Sequence, residues 1–213
     1  MGDWRHETLA QLRTALPTGA VEPYGSVTGA DALDPWSDLD VRVVTHEPLD
    51  VERVLGAPLW AWQGSSTESG QQLRLVTRDG RRVDLTVDGP SVLLPEPPSD
   101  VDVRFDAVLA ATRLGRGNLL IGLHLVLGIG REALVQSMVR ADLAAGTVHH
   151  RLPTPYDDRA ADVAALTAGA LDPTVALRAY ELYGRWRAEV DPGYRPDPAG
   201  LVAVLRRAAD RVR

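Results

Sequence analysis

Three aspartates set the chemical question. Asp38 and Asp40 stand one residue apart at the entrance to the apolar run "LDVRVV", and Asp84 interrupts a second such run, "RVDLTV". Side chains alternate along a strand, so Asp38 and Asp40 are expected on one face, with Leu39, Val41 and Val43 on the other. Two Cα atoms so placed lie ~6.5–7 Å apart. That lets two carboxylates converge on hard cations, which prefer oxygen ligands and keep part of their water. An unpaired carboxylate inside a strand is costly, and Asp84 can escape that cost by completing the pair from a neighbouring strand. Three carboxylates placed together repel one another unless cations neutralise them, which makes Mg²⁺ the natural resolution.

Gly25-Ser26 supplies the other half. Glycine permits close approach of backbone to a ligand. Amides at a turn opening into a helix form a nest for anionic oxygens. A phosphate nest opposite a three-carboxylate metal site is the equipment for phosphoryl or nucleotidyl transfer.

The elements that must position these residues are readable from pattern. Residues Asp3 to Leu16 read as a helix, with Trp4, Leu9, Leu12 and Leu16 on one face, and Pro17 and Gly19 ending it. A strand from Ala20 to Tyr24 leads into Gly25-Ser26, and a second runs from about Asp38 to Val44. A short helix near Asp50 to Leu55 and a strand around Leu59 to Gln63 follow. In "LRLVTRDGRRVDLTV", two β-rich segments flank Asp79-Gly80, a pair suited to a tight hairpin. A two-residue turn there places Val76 opposite Val83 and Leu75 opposite Asp84. The Pro-rich "DGPSVLLPEPPSD" marks a boundary near Pro97. Beyond it the pattern is helical: a helix capped by Ser99 to about Leu114, a long one from about Asn118 to Ala145, and one from Asp157 to Ala168. Asp172-Pro173 and Asp197-Pro198 each match an N-cap followed by proline at the first helical position.

The order of these motifs carries a resemblance. "GS", then "SDLD" entering an apolar strand, then "VDLT", resembles the nucleotidyltransferases of the DNA polymerase β superfamily. With "DGRRVDLTV" and a helical second part, the chain is most similar to the aminoglycoside (streptomycin) adenylyltransferase group. The kanamycin and lincosamide nucleotidyltransferases are relatives. The motifs span roughly residues 20 to 88, and the general architecture covers the rest. The resemblance implies that Gly25 and Ser26 hold the β and γ phosphates of ATP or another NTP, with Ser37 at the edge. It implies that Asp38 and Asp40 ligate Mg²⁺, and that Asp84 ligates a second ion or takes the proton of the acceptor hydroxyl. Related enzymes often place a lysine near the triphosphate. This chain has no lysine at all, so an arginine such as Arg113, Arg116 or Arg131 would have to substitute. The Gly-Ser loop also lacks the arginine common in the smallest members.

Other residues have plainer explanations. Asp84 could simply be ion-paired by Arg82 or Arg74, the main competitor to the metal reading. "GRGN" is a break between helices without the strand-then-helix context of a nucleotide fingerprint. His149 and His150 diverge on any regular element, and His124 in an apolar helix reads as a core histidine. Trp60 and Trp62 read as sharing a strand face, in packing, and Trp36 as the aromatic nearest the centre. "RDGRR" reads as a solvated hairpin tip. Tyr180, Tyr183 and Trp186 recur at helical spacing and read as core. Asp106, Glu132 and Glu181 are candidates to receive a cationic molecule.

Composition sets the outer limits. The 213 residues carry a net charge of -6, with all 23 basic residues arginine. A bulk nucleic-acid footprint needs the opposite sign, and an acidic field favours a small cationic partner. The apolar runs read as shorter than a membrane span, and the first residues lack a secretory pattern. The expectation is a cytoplasmic α+β protein: a nucleotidyltransferase α/β domain with a mixed sheet over residues 1–97, then a helical bundle over 98–213. A homodimer is compatible with this reading. Its expected activity is Mg²⁺-dependent transfer of NMP to a hydroxyl of a small polar acceptor, with two ions. The alternatives are an antitoxin-like enzyme modifying a protein partner, a lincosamide acceptor, and a degenerate domain that only binds nucleotide.

Overall fold

The structure is a computed structural model, and it describes residues 3–29, 33–67, 70–146 and 152–210. His149 and His150 lie outside the described residues. The chain divides into two compact units, one running to Val101 and taking in the segment from Val202, the other spanning Asp102–Leu201.

The first unit is built on a mixed five-stranded sheet. Its strands are β1 (Ala20–Tyr24), β2 (Leu39–Val44), β4 (Leu59–Thr67), β5 (Gly70–Thr77) and β6 (Arg82–Asp88), in the order β1-β2-β6-β5-β4. β2 and β6 run parallel at the centre, and the other neighbours are antiparallel. Two short parallel strands, β3 (Leu49–Asp50) and β7 (Val92–Leu93), form a separate pair. Helix α1 (Trp4–Ala15) is capped by Asp3, whose carboxylate accepts from the Arg5 N–H. Helix α2 (Val51–Leu55) is capped in the same way by Asp50. Leu9 and Leu12 of α1 and Val51, Val54 and Leu55 of α2 share one core with the sheet residues Leu39, Val41, Val43, Leu73, Leu75, Val83, Leu85 and Val87. Removing these side chains from water is the main stabilising contribution.

Three expectations change here. The β5–β6 connection has three residues rather than two: Thr77 N–H donates to Arg81 O, and Gly80 N–H donates to Thr77 O. Gly80 adopts φ +84, the left-handed residue that ends such a loop. The pairing therefore shifts by one, with Val76 opposite Arg82, Leu75 opposite Val83, and Asp84 opposite Arg74. The hairpin tip is also not simply solvated. Arg81 and Arg82 are buried, and Arg81 donates to Thr8 Oγ1 and Leu55 O. Trp60 and Trp62 do not share a pattern of pairing either, because a register irregularity falls between Leu59 and Ala61. The run Gly64-Ser65-Ser66 belongs to β4, although its polar residues lack strand-like alternation.

The second unit is helical: α3 (Val101–Gly115), α4 (Leu119–Ala145), α5 (Arg159–Ala165) and α6 (Thr174–Val190). Tyr180, Tyr183 and Trp186 are buried, as their spacing predicts, whereas His124 is exposed. α4 packs mainly on α6 and buries Val126, Ile129 and Ala133. Among the described helices it is the one long and apolar enough to cross a membrane by length and composition, at 27 residues; a core helix passes the same test. Helix α7 (Ala199–Ala209) ends the chain. A single cut near residue 97 puts all of it with the helices, yet from Val202 it groups with the first unit. The physical reason is the hairpin tip: Arg207 donates to Asp79 O and to its carboxylate.

Gly80 also lies against that terminal helix, where an added Cβ would strike the backbone of Ala203 and Val204. Gly80→Ala is expected to lose about 2 kcal/mol, from left-handed strain and displaced packing. The urea midpoint measures it, and an unchanged midpoint would contradict the packing.

Candidate active site

The site follows from strand parity. In β2 and β6 the odd-numbered residues are buried, while Asp40, Asp84, Thr86 and Asp88 stand half-buried on the opposite face. Parallel pairing sets Asp40 directly opposite Asp84, on adjacent strands ~4.8 Å apart. Asp38, one residue before β2, is half-buried as well. Asp38, Asp40 and Asp84 thus lie near the N-terminal ends of the two central strands.

Their mutual effect appears in the protonation of Asp84. Its carboxyl is pushed up to about 6, first by burial, then by the negative charge of Asp38. Arg74 pulls it down, Asp40 pushes it up, and Arg82 again lowers it. Arg74 Nε stands 3.8 Å from Asp84 Oδ2, with side-chain exposures of 63% and 35% for Arg74 and Asp84. That is a loose ion pair at the surface, worth little, and burial with two like charges outweighs it. Among the described residues, no group of three or more His, Cys, Asp or Glu side chains is arranged as a ready metal cage. Asp84 experiences like-charge repulsion from Asp38 and Asp40, which a bound cation would relieve.

Gly25 opens a short 3-10 turn, Gly25–Thr28, directly after β1. It has φ +65, and an added Cβ would run into the Asp40 carboxylate. The backbone here passes over the acidic centre at a distance that only glycine allows. Tyr24 pairs with Asp40 in the β1–β2 register, so the turn and the carboxylate are locked to one another by the sheet. Ser26 is half-buried in that turn. Ser37 is only 2% exposed, and its hydroxyl accepts from Asp34 N–H at 3.0 Å. Its side chain therefore serves the turn before β2. Trp36 is half-buried in the same turn, and its carbonyl accepts from Arg82.

One residue of this region escaped the sequence reading. Arg5 is fully buried in α1, and its guanidinium donates to backbone carbonyls of the turn that carries Ser37 and Asp38. A signal existed: Arg5, Leu9, Leu12 and Leu16 follow the i, i+4, i+7, i+11 spacing of a buried stripe better than Trp4 does. A charged residue on an apolar stripe marks a group with an internal partner.

Comparison with known proteins adds little. No protein-family model matches the chain, and no curated protein matches it. Among solved structures, it is similar to an aminoglycoside 6-adenyltransferase from Bacillus subtilis at 9% identity and a TM-score of 0.33, over 100% of both chains. It is also similar to the polymerase core of TRAMP, an RNA surveillance complex, at 13% identity and a TM-score of 0.28, over 85% of this chain and 58% of that one. A cytoplasmic RNA terminal U-transferase gives 10% identity and a TM-score of 0.28, over 85% and 63%. Superpositions this loose do not define a shared fold, so the functional reading rests on the site itself.

Asp84 yields a signed pH prediction. Its folded pKa is raised, so its contribution to stability is complete below about 4 and is lost as pH rises through about 6. A two-unit shift is worth ~3 kcal/mol in a fully buried group, and the partial exposure of this carboxylate reduces that to about 1 kcal/mol. Asp84→Asn is therefore expected to be more stable than wild type at about pH 8 and no more stable at about pH 4. Thermal denaturation at the two pH values checks this, and a gain of equal size at both would contradict it.

Proposed function

We propose that the protein is a Mg²⁺-dependent nucleotidyltransferase that moves an NMP, AMP being the leading case, from an NTP to a hydroxyl of a small polar acceptor. The observation that carries the reading is the register of β2 and β6, which sets Asp40 beside Asp84 under the Gly25 turn. In this reading Asp38 and Asp40 hold the cation, and the Gly25 and Ser26 amides receive the polyphosphate oxygens. A bound divalent cation would supply charge neutralisation at the phosphates during an in-line displacement. The acceptor oxygen forms its bond to the α-phosphorus as the bond to pyrophosphate breaks, and the acceptor proton leaves to a base. Asp84 is suited to that role, since a carboxyl near 6 is largely ionised at neutral pH yet still accepts a proton. The alternative role for Asp84 is ligation of a second ion.

The acceptor is proposed to be cationic, an aminoglycoside-type antibiotic first and a lincosamide second. The net charge of -6 supports a cationic molecule. A second reading draws on the Arg74–Asp84 contact: a domain that binds nucleotide or a partner without turnover, its third carboxylate committed to an arginine.

With α-labelled ATP, Mg²⁺ and an antibiotic panel, label is expected to pass to a cationic acceptor. Asp40→Ala should reduce the rate roughly 100-fold or more. Absence of transfer to any member would remove the antibiotic reading. Calorimetry with Mg-ATP on wild type and Asp40→Ala separates the second reading, which predicts the same affinity for both. If Asp84 is the base, the transfer rate should rise with pH through the region near 6 set by its carboxyl.

A further inference from the structure

We propose that Arg5 is a positioning residue for the acidic centre, holding the 34–38 turn in the conformation that delivers Asp38 and Asp40 beside Asp84. This rests on the reading of those three aspartates as the reactive group. Arg5 is 0% exposed, among the largest fully buried side chains of the chain. Its Nε donates to Ser37 O at 3.0 Å and to Asp38 O at 3.3 Å. Its Nη2 donates to Asp34 O at 3.2 Å and also to Ser37 O. Nη1 reaches Asp3 Oδ1 at 3.3 Å, and the guanidinium lies over the Trp4 ring, 4.6 Å from its centroid.

The choice of partners is informative. A buried cation loses hydration worth several kcal/mol, which one carboxylate at 3.3 Å does not return by itself. The fork also donates to three carbonyls, those of Asp34, Ser37 and Asp38, all in the segment immediately before β2. That segment has no sheet pairing of its own, since β2 begins at Leu39 and only its flanking turn holds Asp38. The planar fork of arginine can engage several carbonyls at once, which an ammonium cannot do with the same geometry. From the other side Arg82, one residue from Val83 on β6, donates to Trp36 O. Arg5 and Arg82 thus grip consecutive carbonyls of one turn, and the direction in which Asp38 leaves that turn follows from the grip. Outer groups that orient ligating residues commonly matter tenfold or more for cation affinity.

The experiment uses the full chain, with Arg5→Lys, Arg5→Gln and the exposed Arg13→Lys on the same helix as control. Two readouts are paired: amide hydrogen exchange of the 34–40 segment without cation, and Mn²⁺ affinity by titration. Arg5→Lys is expected to exchange faster in that segment alone and to bind Mn²⁺ about 10-fold more weakly, while Arg13→Lys changes neither. Arg5→Gln, which leaves no buried charge, gives the same comparison should the lysine variant fail to fold. Local exchange like that of wild type overturns the proposal, as does a uniform rise across the first unit, which marks a general stabilising role. Wild type that binds no Mn²⁺ sinks the proposed function instead, and the exchange readout then decides the positioning role by itself.

Discussion

The parallel pairing of β2 with β6 is the constraint from which the site and the core of the first unit both follow. Leu39, Val41 and Val43 lie opposite Val83, Leu85 and Val87, and all six are buried. Because a strand alternates, the same register that joins these side chains in the core sets Asp40 and Asp84 side by side on the other face. A slip of either strand by one residue would drive its own carboxylate into the core and expose its apolar side chains. Hydrophobic burial therefore holds together two like charges that would otherwise separate. The Asp84 carboxyl is pushed up first by its burial and then by the charge of Asp38, with Asp40 adding a smaller push.

Around the acidic centre, arginine performs most of the framework work. With no lysine in the chain, the buried arginines among the described residues serve this role, and Arg5, Arg81 and Arg82 each donate to a backbone carbonyl. Arg5 grips the 34–38 turn, Arg81 joins β6 to α1 and α2 through Thr8 and Leu55, and Arg207 binds the Asp79 carbonyl at the hairpin tip. The fork shape suits this use, because several donors lie in one plane and little freedom is lost per bond. Arg74 differs, being mostly exposed and only loosely placed against Asp84. An exposed guanidinium at that distance can swing away at little cost.

Most of the first unit was legible before its structure. α1, β1, the start of β2, α2 and the β5–β6 hairpin all carry strong local signals: apolar period, Asp caps and an Asp-Gly turn. The β4 extension through Gly64-Ser65-Ser66 was not, since polar residues on an outer strand leave no alternation to read. The one-residue error at the hairpin has a definite origin. Asp-Gly fits both a two-residue turn and a three-residue loop ending in a left-handed glycine, and the difference lies in which carbonyl Thr77 meets.

Residue types and their order were enough to nominate Asp38, Asp40, Asp84 and Gly25, because strand parity and glycine's missing side chain are local properties of the chain. Which residues face them was settled by tertiary pairing: Arg74 rather than Leu75 opposite Asp84, and Gly25 pressed against Asp40. The burial of Arg5, and the return of the last helix to the hairpin tip, belong to the same category. The last two depend on partners 29 to 128 positions away in the chain. No window of local sequence contains both members of such a pair, so only the folded chain brings them into view.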